Sequence, residues 1–338
     1  MNSTIKNFKS FIIESRFFSV TIIFLILGMR FLMYNRLGVE AYESKNIGFI
    51  WDYISPLFAG SLVSFVSSTI CVFIIAIILS QINVWFGIVR GRSTLPISIP
   101  LIILSIHPFS LSISPDLFAT IFILWALIPL FKSYQSNKAQ IYAFQASVLL
   151  SIAGIFQIYS LIFIPFWWIG HTMMNSFSFK SFLSSLLGFI LVYISVFSLY
   201  VFGDNIIGFL EPFNAFATFD FQIYWTLSVP QWGFITLIVL LIITHILFDI
   251  KHFYRDRVLT QKFISFSIVL IMISFIAQFV YIGQSILWIY IVLSLLSMII
   301  SHFYSTMNNK LGVYIFFIFL ALLITFYFVK CFTDLAPF

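Results

Sequence analysis

Four carboxylates and a few cations are the residues of this sequence that could do chemistry. Glu40 and Glu43 stand three residues apart, and a helical turn there would put both on one face. Asp52 follows nine residues later, between Trp51 and Tyr53, aromatic types that suit a membrane–water interface. Asp116 stands in Ser114-Pro115-Asp116-Leu117. A carboxylate in low-dielectric surroundings holds its proton more tightly and can serve as a general base. Arg30, Arg36, Lys45 and His107 supply complementary positive chemistry, and a guanidinium matches a phosphate or a carboxylate bidentately. Each residue also has a plainer reading. Glu40, Glu43 and Asp52 suit a solvated loop. Ser114-Pro115-Asp116 suits a helix start, with Ser114 as cap, Pro115 first, and the acid in the first turn where the helix dipole favours it. Arg30 can snorkel to an interface, and His107 before Pro108 suits a packing role.

These residues are embedded in an unusually apolar chain. Of 338 residues, 62% are hydrophobic and 8% charged, where a soluble domain carries roughly 25% charged residues. A soluble fold of this composition would expose large apolar patches. Lipid suits it, and the expected class is an all-α polytopic membrane protein. A crossing needs about 20 mostly apolar residues. Eleven candidate spans fit, with ten to twelve as the range: 17–33, 57–86, 96–113, 115–131, 142–157, 159–174, 183–202, 232–248, 263–282, 286–301 and 311–329. The fifth and sixth nearly touch. The third, broken by Pro96, Pro100 and Pro108, is expected to be partly re-entrant or to lie beneath other helices, where protein can satisfy its backbone. The chain divides into an interfacial segment 1–16, a transmembrane module 17–174, and a second module 183–338 with an outer loop 203–231.

Charge sets the orientation. With the N-terminus in the cytoplasm, thirteen of the 17 Lys and Arg fall inside: Lys6, Lys9, Arg16, Arg90, Arg92, Lys132, Lys138, Lys180, Lys251, Arg255, Arg257, Lys262 and Lys310. Arg30, Arg36, Lys45 and Lys330 fall outside. This bias is the positive-inside pattern, and it puts the C-terminus outside a bacterial inner membrane. Most acids fall outside, among them Glu40, Glu43, Asp52 and Asp116. The first span lacks a signal-peptidase-like site and reads as uncleaved. Phe8, Phe11, Ile12 and Ser15 share a helical face, so the segment before it is expected to lie along the membrane surface. The basic residues are scattered between apolar blocks, which is no nucleic-acid signature. Cys71 and Cys331 make neither a disulfide framework nor a metal pair. No nucleotide-binding motif supports an ATP-driven pump. No cofactor is expected, and a divalent metal between carboxylates is compatible with the acids without being indicated by them.

The arrangement of first span, acidic outer loop, Ser55-Pro56-Leu57-Phe58 and Ser114-Pro115-Asp116 resembles the polyprenyl-phosphate-sugar-dependent glycosyltransferases of the GT-C superfamily over about the first 170 residues. The usual adjacent Asp-Glu pair and the large outer domain are absent. The resemblance implies transfer of a sugar from a polyprenyl-phosphate carrier to an envelope glycan or lipid acceptor on the outer face. Arg30 or Arg36 would hold the phosphate, with His107 able to join them. Glu40 or Glu43 would take the acceptor proton, Asp52 could replace either, and Asp116 would position the acceptor. The whole chain also resembles Phe-rich multi-pass inner-membrane proteins of Bacteroidota that share a Trp-Asp-x-x-x-Pro-Leu and a Ser-Pro-Asp segment, a resemblance that carries no activity. Two rivals remain. A transporter of lipid-linked glycans would need a polar path, and Gln145, Gln157, His171, His245 and Gln278 are scattered. A non-catalytic subunit of an envelope complex would use the same acids as a surface for membrane-protein partners.

Overall fold

An apolar chain in lipid must satisfy its backbone internally, which leaves helices as the local solution. The computed structural model describes residues 3–38, 48–89, 93–217, 229–253, 256–281, 284–307 and 309–332. All the helices and strands assigned among them are helices. These are α1 (Ser3–Phe8, continued by a π turn Lys9–Ile13), α2 (Arg16–Leu37), α3 (Trp51–Ile54), α4 (Ser61–Phe86), α5 (Leu95–Ser105), α6 (Pro115–Lys132) and α7 (Ala139–Phe156). Then come α8 (Phe163–Met173), α9 (Phe179–Phe202), α10 (Ile206–Leu210), α11 (Val229–Phe253), α12 (Val258–Val280), α13 (Leu287–Thr306) and α14 (Lys310–Phe332). Eight are long and apolar enough to cross a membrane: α2, α4, α6, α7, α9, α12, α13 and α14. The chain is a polytopic helical membrane protein.

Sequence chemistry accounts for the boundaries. Ser114 accepts the Leu117 amide at 3.4 Å and so caps α6, whose first residue is Pro115. Ser178 caps α9 in the same way, accepting from Ser181 at 3.1 Å. Gly87 ends α4 in the left-handed region, at φ +59°, where a side chain would be strained. Gln157 is extended, at φ −142° and ψ 109°, and ends α7. A 3-10 turn (Ile158–Ile162) then leads into α8, so the two spans that nearly touch in sequence are separate elements. The third candidate span is not a full helix. α5 accommodates Pro96 and Pro100, but stops at Ser105. Pro108 lacks an N–H, and it holds His107 extended, at φ −103° and ψ 140°. The segment from Ile106 to Ser114 is therefore irregular, yet nearly all of it is buried.

α13 is the centre of the bundle. Of its most apolar stretch, 94% is buried, against 22% for α2 and α9 at the periphery. The tightest crossing joins α7 and α9, where Gly188 lies so close to Ser147 and to the Phe144 carbonyl that a Cβ would collide with both.

Successive helices alternate between two ends. At one end the Thr94 amide bonds the Ile13 carbonyl at 2.8 Å, and Phe8 of α1 packs on Phe316 near the start of α14 at 5.2 Å. Phe131 and Phe263 stack there at 4.0 Å, and the Gln135 amide reaches Met174. At the other end the Phe49 amide bonds Ile155, and Tyr200 donates to Phe49. Tyr159 there reaches Ala215, and Tyr327 of α14 donates to the Met29 carbonyl at 2.8 Å. α14 thus runs parallel to α2. The N-terminal segment is docked on the first end, with Phe8 and Ile13 buried and Phe11 and Phe17 exposed.

The crossing at Gly188 yields a direct expectation. Gly188→Val should force α9 away from α7 and cost about 2–4 kcal/mol, in the range of overpacking and lost core contacts. Gly28→Ala, with nothing within 4 Å of the added Cβ, should leave stability unchanged or slightly higher. Thermal melts of the two variants in detergent would separate them. Equal behaviour would contradict the close crossing.

Candidate functional site

Irregular backbone at the depth of a membrane is tolerable only if protein takes over the hydrogen bonds that a helix would have made. Three neighbouring helices do this for the segment from Ile106 to Ser114. From α4, Ser64 accepts the Ile113 amide at 3.0 Å, and Ser68 donates to the Leu111 carbonyl at 2.7 Å. From α13, Tyr290 donates to the Phe109 carbonyl at 3.1 Å. From α2, Arg30 donates to the Ser110 carbonyl at 2.7 Å. Within the segment, His107 Nδ1 accepts the Phe109 amide at 3.3 Å, and Ser110 bonds back to the His107 carbonyl.

Arg30 is the charged member of this set. Its residue is fully buried, and it lies seven residues before the end of α2, about 10 Å in from that end at 1.5 Å per residue. Nε donates to Thr69 at 3.1 Å, Nη1 to the Ser110 hydroxyl at 3.0 Å, and Nη2 to Ser68 at 3.1 Å as well as to the Ser110 carbonyl. The Phe65 ring lies 5.9 Å from the guanidinium carbon. All of these partners are neutral. Hydroxyl and carbonyl dipoles hold the cation, and no carboxylate is among them. Such a group carries a desolvation penalty of several kcal/mol that dipoles offset only in part.

Asp116 is the matching buried anion, also fully buried. Its Oδ1 accepts from Gln157 at 2.7 Å and from Ser285 at 2.7 Å, and its Oδ2 accepts the Ile286 amide at 3.3 Å. It sits in the first turn of α6, faces the start of α13, and is gripped by the residue that ends α7. Two helix N-termini and three neutral donors stabilise it. Arg30 and Asp116 therefore flank one segment, 106–116, without pairing with each other.

The remaining residues of the sequence-derived site are placed differently. Asp52 is exposed in the first turn of α3, and Arg36 is exposed in the last turn of α2. His107 is buried, its ring 4.5 Å from that of Phe109 and 6.0 Å from that of Phe326. Lys330 of α14 is also buried. Glu40, Glu43 and Lys45 lie outside the described residues, as do Asp220 and the middle of the long loop. Among the described residues, no three His, Cys, Asp or Glu side chains gather as metal ligands would.

Several residues that make this region were not singled out from sequence. Ser64, Ser68 and Thr69 recur at four- and one-residue steps in the otherwise apolar α4, a spacing that puts Ser64 and Ser68 on one face. Ser285 and Tyr290 give no such signal, and Gln157, named above only among the scattered polar residues, has no local pattern that points to Asp116. The chain matches no protein-family model, no curated protein and no solved structure. Fold and site together define a helical membrane protein with a neutral-caged intramembrane arginine.

The donors on Asp116 make a prediction about charge. Because they are neutral, Asp116→Asn leaves no orphaned cation: its oxygen can still accept from Gln157 and Ser285, its Nδ2 faces the Ile286 amide donor, and the change should cost about 1–3 kcal/mol. Asp116→Ala strips the partners of Gln157, Ser285 and Ile286 together and should cost about 3–5 kcal/mol. Melting of the purified variants in one detergent checks the order. An Asn variant as unstable as the Ala variant would point to a charged partner.

Proposed function

We propose that the chain is a membrane glycosyltransferase that takes a sugar from a polyprenyl-phosphate carrier and passes it to an envelope glycan or lipid acceptor. The observation that carries this reading is Arg30, a buried cation whose partners are hydroxyls and a carbonyl. A phosphate would replace weak neutral acceptors with charged ones in the fork geometry that guanidinium prefers. The apolar exposed face of α2, with Phe24 and Phe31, suits the isoprenoid tail of such a carrier. Arg36, exposed at the end of the same helix, would guide the headgroup inward.

In the proposed reaction an acceptor hydroxyl attacks the anomeric carbon. A carboxylate takes its proton, and the bond from that carbon to the carrier phosphate breaks with its electron pair leaving on the phosphate. Glu40 or Glu43 would be the base, with Asp52 as the alternative. Asp116, its oxygens engaged by Gln157, Ser285 and Ile286, would act at one remove by fixing the starts of α6 and α13 beneath the site. A non-catalytic role in an envelope membrane complex is the second reading, and the complete satisfaction of Asp116 by neutral donors favours it.

The same proposal includes the orientation. Eleven crossings, with α5, α8 and α11 among them, would place the N-terminus in the cytoplasm and the C-terminus outside a bacterial inner membrane. The basic residues Lys6, Lys132, Lys138, Lys180, Lys262 and Lys310 lie in elements that meet at the N-terminal end of the bundle. Alkaline phosphatase fused at the C-terminus should be active, and the same fusion after Lys138 inactive. The reverse pattern would invert the orientation.

The reaction is tested in proteoliposomes holding a labelled polyprenyl-phosphate sugar. Saturable binding and transfer should appear with the natural sequence. Arg30→Ala should abolish binding, whereas Glu40→Gln or Glu43→Gln should keep binding and lower transfer by about 10²–10⁴-fold, the usual range for a lost general base. Binding and transfer both absent from a folded natural protein would remove the transferase reading and leave the complex-subunit reading.

A further inference from the structure

A second feature, beside Asp116, is polar, buried and unused by the proposed transfer. The turn after α7, Gln157 to Ile162, runs beside the start of α13, Gln284 to Trp288. Two side-chain bonds join the strips: Tyr159 donates to Gln284, and Gln157 donates to Ser285 at 3.3 Å. Along this seam three polar atoms have no hydrogen-bond partner among the described residues: Gln157 Oε1, Ser160 Oγ and Trp288 Nε1. The three residues show 0% exposure. Buried polar groups in native proteins are nearly always satisfied, and three orphans in so short a stretch call for an occupant.

The orphans are forced by their surroundings. Asp116 accepts the Gln157 amide nitrogen at 2.7 Å, so the amide must present Nε2 to the carboxylate and its oxygen elsewhere. The Trp288 indole is held among rings, 5.4 Å from Phe163, 6.2 Å from Tyr159 and 6.3 Å from Tyr281, none of which offers its N–H an acceptor at hydrogen-bond distance. Ser160 lies in the 3-10 turn, and its hydroxyl makes no bond back to the chain. The set is one acceptor, one donor and one hydroxyl that can do either. It carries no charge of its own, and Asp116 beside it already holds three donors.

We propose that this seam is a buried binding site for neutral hydroxyl groups, bounded by Gln157, Ser160 and Trp288. Hydroxyls both donate and accept, which is what the three orphans need and what an ion or an apolar tail cannot give. Solvent water and the ring hydroxyls of a sugar share that chemistry, and the aromatic walls of Tyr159, Tyr281 and Trp288 suit either a confined water or a sugar face. The site is separate from Arg30 and stands whether or not a sugar is transferred.

The test uses the full chain in lipid nanodiscs with 15N-labelled tryptophan, of which there are eight. Trp288→Phe serves only to assign the Trp288 indole signal. A hydrogen-bonded indole proton that cross-relaxes with water is expected, and it identifies water as the occupant. If added methyl glucoside replaces that cross-peak with one to its own protons, the source is the sugar. Stability gives a second reading. Ser160→Ala should lower the melting midpoint by several degrees if the hydroxyl binds an occupant, and raise it if the hydroxyl is desolvated and unpaired. An indole proton with neither partner, or a Ser160→Ala protein that melts higher, overturns the proposal.

Discussion

Everything near the candidate site follows from one requirement: backbone N–H and C=O groups in an apolar medium must be paired. A continuous helix meets it without help. The segment from Ile106 to Ser114 is not an α-helix but holds only a 3-10 turn, Pro108–Ser110, because Pro108 removes a donor and forces His107 to be extended. The missing bonds must then come from side chains. Ser64, Ser68, Tyr290 and Arg30 provide them, each from a helix packed against the break. The polar residues of α2, α4 and α13 are thus the counterpart of a proline in another helix.

This requirement also explains which parts of the fold were legible in the sequence. Long apolar runs such as 61–86 and 310–332 read directly as helices, since both length and composition are local. The break at Pro108 was legible too, because proline acts on its own backbone, and α7 and α8 were read as two short, nearly touching apolar runs. Partners were not legible. Asp116 reads as a first-turn acid on α6, yet its oxygens are bound from residues 157, 285 and 286, and no local pattern links positions so far apart. The Arg30 cage is a similar case. Ser64 and Ser68 look like small residues for close helix packing, and only the fold shows them satisfying a broken helix.

The two buried charges were solved differently, and the difference bears on function. Asp116 receives donors that converge on both oxygens, at the positive ends of two helices. The surroundings therefore already supply what an anion there needs, and the residue is complete without a ligand. Arg30 receives hydroxyls and one carbonyl. Hydroxyls are poor substitutes for a carboxylate or phosphate, since each brings a partial charge and is shared with backbone carbonyls, as Ser68 is shared with Phe65 and Leu111. A cation held in this way keeps unspent affinity for an anion.

That asymmetry gives the two ends of segment 106–116 separate tasks. At the Asp116 end, rigidity is the product: three elements are tied by bonds of 2.7–3.3 Å around one carboxylate. At the Arg30 end, the same segment offers its carbonyl to a guanidinium that would bind an anion more strongly than it binds a serine. An anion drawn to Arg30 would compete with Ser110 and Ser68 for the same N–H groups, and the released Ser110 carbonyl would have to find water or another donor. In the proposed transferase, the affinity of Arg30 for a phosphate would therefore depend on how readily residues 106–114 give up their bonds to it. The buried arginine and the broken helix are in this sense one element: the break leaves carbonyls that need a donor, and the donor the fold supplies is a charge still short of a counter-ion.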